Sequence, residues 1–360
     1  PWSDGWLVRV APGLRLILLV FYSFAAFAKL NSGFFDPVES CARFFANQTL
    51  GFWRLPEVSA DSPLALILII GSVAIEVSVP ILLIIRRTRR LGVLLAICFH
   101  LALTIDLAQH FYDFTLVLIP LFLLFAPLGV LSDVDRRLGG PRSTAAGRWF
   151  VPLGAMVVAF TMPVPDGYKG LAILMAWMLW LVVLVSVVRA VVLTRWSPQP
   201  LSWRLAGYPP GLAVALIIAL TFLNGLAPYL ELKTATGFNM YANLTTSGGE
   251  TNHFVVPATA EVRPAGADLT LILESSDAGL AEYVDSGFAL PFVNLADHLA
   301  DHPETSVTFE RNGRVFEVQR AADYPELIRR QPLLTEKFGL LRAVPTGDEN
   351  TCQNTWLPAR

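Results

Sequence analysis

Seven windows of about 20 mostly apolar residues crowd into the first 230 positions. No other feature narrows the fold as far. The windows are 12–30, 63–85, 91–109, 111–131, 149–165, 171–194 and 210–230. The fifth is short and interrupted by Pro152, Pro163 and Pro165. Over the whole chain only 16 % of residues are charged and 54 % are hydrophobic, whereas an ordinary soluble domain carries about 25 % charged residues. That deficit excludes an ordinary cytosolic enzyme and a disordered chain alike. A net charge of −2 gives no field for nucleic acid. The expectation is a polytopic α-helical membrane protein of about seven transmembrane helices. Residues 1–231 form the bundle, and 232–360 form a small extracytoplasmic α+β domain.

Basic residues orient the bundle. Arg86, Arg87, Arg89 and Arg90 follow the second window, Arg136, Arg137, Arg142 and Arg148 the fourth, and Arg195 and Arg204 the sixth. By the positive-inside rule these alternate loops face the cytoplasm. The N-terminus is then inside and residues 232–360 outside, in a multi-pass cell (inner) membrane protein. The chain opens without Met and without a signal-peptide pattern, so a few residues are expected to precede Pro1. In the outer loop 31–62, Asp36-Pro37-Val38-Glu39 has the composition of a helix start, and the helix it opens is expected to lie along the membrane interface.

In the outer domain, strands are expected at His253–Pro257 and Leu269–Glu274. A hairpin is expected where Val307–Arg311 and Arg314–Val318 flank Asn312-Gly313. Helices are expected near 292–301 and 325–343. The orientation places Cys41 and Cys352 in the oxidising compartment, where they are expected to pair, leaving Cys98 as a free thiol within a span. Three cysteines are too few for a cysteine-based zinc site, and no ligand spacing stands out, so no metal is expected.

Ionisable residues inside spans are functional candidates by default. Lys29 ends the first window, Glu76 lies midway along the second and His100 midway along the third. Asp106, His110 and Asp113 follow toward the outer side, where the six together describe an outward-facing polar pocket. Each also has a plainer reading. Lys29 can snorkel to headgroups, His100 can be a packing residue, Asp106 can bond the His110 ring, and His110 and Asp113 can sit in a solvated turn. Glu76 has no route to water from mid-span and must be paired or neutral. Lys29 is one of only four lysines (29, 169, 233 and 337) in an Arg-rich chain. Unlike Arg, a desolvated Lys can give up its proton and act as a base.

Several short segments carry a resemblance. Phe27-Ala28-Lys29-Leu30, Phe99-His100, and Pro228-Tyr229-Leu230 leading into Gly237-Phe238-Asn239-Met240-Tyr241 resemble the vitamin K-dependent γ-carboxylase family. The closer likeness is to its bacterial relatives with the horizontally transferred transmembrane (HTTM) domain. The stretches from Glu231 to Thr234 and from Asn243 to His253 are similar to the region after their last span, and the likeness covers roughly 12–257. The resemblance implies a reduced quinone of the vitamin K type, deprotonated by a lysine at the place of Lys29. Oxygen then adds, a strong base forms, and a glutamate side chain of a peptide is carboxylated. On this reading Lys29, His100 and Glu76 are catalytic, and Asp106, His110 and Asp113 bind the quinone. Those carboxylases have membrane segments ahead of the lysine and a much larger outer domain. A second class therefore stays open, a non-catalytic anchor that binds lipid or quinone within a larger membrane complex. Membrane lipids, a quinone and neighbouring subunits are the expected partners.

Overall fold

A computed structural model describes residues 6–104, 111–138, 181, 183–196, 201, 210–347 and 352. Helix α1 (Trp6–Ala28) and, after the one-turn α2 (Ser32–Phe35) and α3 (Cys41–Phe52), helix α4 (Pro63–Ile84) are the long apolar elements. The start of α4 is written locally. Ser62 accepts the Leu64 N–H at 3.2 Å on Oγ, and Pro63 takes the first helical position, where a missing N–H costs nothing.

The expectation of about seven transmembrane helices is corrected. Among the described residues two helices are long and apolar enough to cross a membrane: Arg9–Ala28, with mean hydropathy 1.8, and Pro63–Ile84, with mean hydropathy 2.5. Among the described residues the other apolar windows yield shorter helices. Helix α5 (Arg89–Leu103) ends at Thr104, whose hydroxyl turns back onto Leu101 O at 2.7 Å. Helix α6 (Phe111–Leu123) stops three residues past Pro120, and the polar-faced α7 (Leu128–Leu138) follows. At 1.5 Å per residue α5 and the described part of α6 are about 22 and about 20 Å long, against a hydrocarbon core of about 30 Å. The last window yields Pro210–Leu226, 17 residues. In the sixth only Val183–Leu193 is a described helix. The fifth window, 149–165, lies outside the described residues.

The chain divides into two compact units, Pro1–Leu19 with Val77–Ile218, and Val20–Glu76 with Ala219–Arg360. The first unit is helical, with Leu83, Ile97, Phe122, Phe125 and Leu184 fully buried. Its α4–α5 turn needs glycine at Gly92, because a Cβ there would lie 2.9 Å from Leu82 Cβ and 3.0 Å from Leu83 N.

The second unit holds a five-stranded antiparallel sheet of order β6-β5-β3-β4-β7, formed by β3 (Leu269–Ser275), β4 (Phe288–Pro291), β5 (Val307–Arg311), β6 (Arg314–Val318) and β7 (Val344–Pro345). Strands β5 and β6 pair Arg311 with Arg314 around Asn312 and Gly313, both with positive φ (53° and 70°), as a type I′ turn requires. The Phe292–Asp301 helix buries Leu295 and Leu299, one turn apart, with Ile272, Leu290, Val307 and Phe309. A small ribbon, β1 (Thr246–Ser247) with β2 (Glu250–Thr251), turns through Gly248 and Gly249, both at positive φ.

Three local expectations are also corrected. Asp36 closes α2 rather than opening a helix, and its Oδ1 accepts the Val38 N–H at 2.7 Å; Ser40 is the true N-cap of α3. His253 makes an isolated bridge to Asn31 instead of starting a strand. Of the helix expected at 325–343 only Leu333–Phe338 forms, because Pro332 disfavours helix before it. Cys41 and Cys352 are joined in a disulfide with Cα atoms 4.8 Å apart, and Cys98 is a free, exposed thiol.

Candidate functional site

The end of α1 accounts for every backbone carbonyl that a helix leaves without a partner. Ala26 O accepts from the Lys29 N–H and Phe27 O from the Leu30 N–H. Phe27 O also accepts from His253 Nε2 at 2.8 Å, and Ala28 O from Asn31 Nδ2 at 2.7 Å. The Lys29 ammonium reaches back to Ala25 O at 3.5 Å. Asn31, fully buried, does two further jobs. Its Nδ2 donates to Ala242 O at 2.6 Å, and its Oδ1 accepts the Phe34 N–H at 2.8 Å to open α2. His253 Nδ1 accepts two backbone N–H groups, from Val255 and Val256, at 3.0 and 3.2 Å. That pattern makes Nε2 the protonated nitrogen of a neutral ring. Burial pushes the His253 pKa below its ordinary 6.5, opposed by the bond to Phe27 O.

This scaffold holds Lys29. Its Nζ donates to Glu76 Oε2 at 2.8 Å, with the two side chains only 11 % and 13 % exposed. The Phe34 ring lies 5.8 Å from the ammonium, within cation–π range. The buried Tyr22 lies two turns back along α1. A cation at a helix C-terminus is favoured by the helix dipole, and a carboxylate within α4 offsets its charge where little water reaches. The result is a largely buried ion pair beside an aromatic ring.

Of the six ionisable candidates, the structure therefore brings together Lys29 and Glu76. His100 belongs to the first unit, 3 % exposed, with its ring 5.8 Å from that of Phe114 and 5.7 Å from that of Phe122. Asp106 and His110 lie outside the described residues, and Asp113 stands on the backbone of α6. Sequence reasoning gave no role to Asn31, His253 and Tyr22. The available signal was an Asn two residues after an apolar helix ending in Lys, a composition suited to closing one helix and opening another.

Glu231, which opens one of the stretches that carry the resemblance, is a further buried carboxylate. It is fully buried, accepts the Gly248 and Gly249 N–H groups at 3.0 and 2.7 Å, and takes the Thr259 hydroxyl as well. It opens a segment in which Glu231, Thr236, Phe238, Tyr241 and Asn243 all adopt positive φ. Such a concentration of left-handed, non-glycine backbone persists only where the surroundings over-determine it. Nearby, a cleft of about 420 Å³, its mouth included, is lined by Cys41, Thr234, Tyr241, Thr246 and Arg342. Burial lowers the Arg342 pKa to about 10.

No family model, no curated protein and no solved structure matches this chain.

Proposed function

We propose that the protein is a membrane enzyme of the vitamin K-dependent carboxylase type, in which Lys29 and Glu76 handle a proton of a reduced quinone. The observation that carries this reading is the 2.8 Å Lys29–Glu76 bond. It joins an ammonium at the end of one long apolar helix to a carboxylate within another. The donor set suits a hydroquinone, because a phenolic hydroxyl needs one acceptor and one donor beside it, and aromatic surfaces flank the pair. The quinol, when bound, supplies the reducing equivalents. Glu76 fixes the ammonium in place and accepts its proton when Lys29 has to act as a base. The carbonyl accounting at the end of α1 keeps Lys29 from swinging away, and the buried surroundings exclude the water that would quench a carbanion. A location of residues 232–360 outside the cytoplasm is supported by the Cys41–Cys352 disulfide, which forms and persists in oxidising compartments.

One observation favours a second reading. Lys29 is closed into an ion pair as a structural lysine would be, which suits a non-catalytic, quinone-binding anchor in a larger membrane complex. Protein reconstituted in lipid vesicles with reduced menaquinone or vitamin K, and with dioxygen as the electron acceptor, separates the two. Quinol oxidation is expected in the wild type and is lost in Lys29→Arg, since Arg keeps the charge but cannot release its proton. Turnover retained by that variant rules out the base. Binding without turnover in the wild type leaves the anchor.

A further inference from the structure

Far from Lys29 in the sequence, the second unit gathers three ligating side chains. Asp277 stands just before the one-turn Ala278–Ala281 helix, and His298 and His302 lie four residues apart on the Phe292–Asp301 helix and its cap. Such a spacing puts both imidazoles on one helical face. Their rings stack with centroids 4.4 Å apart. His298 Nε2 lies 2.9 Å from Asp277 Oδ1. One ligand atom from each of the three residues falls within 4.8 Å of the others. We propose that Asp277, His298 and His302 form a binding site for a divalent transition-metal cation, with Zn²⁺ as the fitting ion.

The chemistry of the donor set points to this class. Two neutral imidazoles and one carboxylate, with room for water in a fourth position, form a familiar zinc ligand set, whereas Ca²⁺ and Mg²⁺ take oxygen ligands. Two ligand atoms on one tetrahedral zinc lie about 3.3 Å apart, as follows from bonds of about 2.0–2.1 Å. The Nε2···Oδ1 spacing is already close to that. The remaining adjustment falls on His302, whose side chain is exposed.

The supporting contacts are those of an oriented site. His302 Nδ1 lies 3.1 Å from His298 O, so a proton donated there leaves Nε2 with the lone pair a metal needs. Asp277 Oδ1 is aimed by the Leu280 N–H at 3.0 Å, and the Asp277 N–H is tied to Ser275 Oγ at 3.1 Å. Gly279 keeps the approach narrow but open, since a Cβ there would stand 3.2 Å from the carboxylate oxygen and 3.9 Å from the His298 ring. The expectation of no metal overlooked the His298-x₃-His302 spacing, which is visible in the sequence. The proposal shares no residue with the quinol reading and stands if that reading fails.

Zinc binding to the untagged, full-length protein, stripped with chelator in detergent, is the test. Calorimetric titration with ZnCl₂ is expected to show one equivalent bound, and the melting temperature is expected to rise with zinc. His302→Gln removes an exposed ligand. It should melt like the metal-free wild type yet bind zinc at least about tenfold more weakly, since even supporting residues around a metal are worth that much. Should His302→Gln misfold, Asp277→Asn keeps the helix-capping oxygen and serves instead, with the same expected loss. No zinc uptake by the wild type, or equal affinity in wild type and variant, overturns the proposal.

Discussion

Breaking the Lys29–Glu76 pair from one side strands a charge among apolar side chains. At 2.8 Å the attraction is about 6 kcal/mol at an effective dielectric constant near 20. Desolvating both groups offsets much of it, so the net worth of the pair is small. The cost of orphaning one partner is not small. In Glu76→Leu the ammonium, 11 % exposed, keeps, among the described residues, Ala25 O at 3.5 Å and the Phe34 ring. A loss of about 3–5 kcal/mol is expected, as for other buried pairs broken on one side. Lys29→Met should cost a similar amount. The double variant Lys29→Met/Glu76→Leu removes both charges and should recover to within about 1 kcal/mol of the wild type, or exceed it. Thermal unfolding in detergent, followed by tryptophan fluorescence, reads the cycle. Each single variant should lower the midpoint by about 4–7 °C for a chain of 360 residues, and the double should restore it. Single variants that melt with the wild type, or a double as unstable as the sum of the singles, would refute a buried, mutually dependent pair.

Three other outcomes are expected. With its pKa held below 6.5 by burial, neutral His253 contributes stability that is complete above pH ~6.5 and lost as pH falls through the lowered folded value. Melting between pH 7 and 5 should show that slope, and His253→Gln should flatten it. Glu231→Gln turns an amide group toward the Gly248 and Gly249 N–H donors that the carboxylate now accepts; a loss of about 2 kcal/mol is expected, with faster hydrogen exchange at those two amides. Cys352→Ser opens a loop of 311 residues, for which chain entropy sets an upper value of about 5–6 kcal/mol. Reductant should lower the wild-type midpoint toward that of the variant and leave the variant unmoved.

What could be read from the sequence was whatever neighbouring residues decide among themselves. The Asn312-Gly313 hairpin and the helix at 292–301 are set by turn chemistry and by apolar spacing within a few residues. The disulfide followed from compartment logic. Lys29 and Glu76 stood out because a charge in an apolar helix has few places to go. The helix lengths were hidden, since a hydropathy window averages over Thr104 and Pro120, whereas a backbone stops near them. Asp36-Pro37-Val38-Glu39 misled because Asp36 serves equally well as an acceptor in a turn. The groups that fix Lys29 were out of reach for another reason. Asn31 and Ala242 are 211 positions apart, and Phe27 and His253 are 226 apart, distances at which no local pattern announces a hydrogen bond.

The bond between Cys41 and Cys352 also has a meaning in time. The two sulfurs are separated by 311 positions, and chains are synthesised at about 5–20 residues per second. The Cys41 thiol is therefore made roughly 15–60 s before its partner exists. Cys98 is the one cysteine between them in the sequence, and Cys41 is 2 % exposed at the head of α3 in the folded protein. The covalent ring closes only after the 311 positions that follow Cys41 have been made.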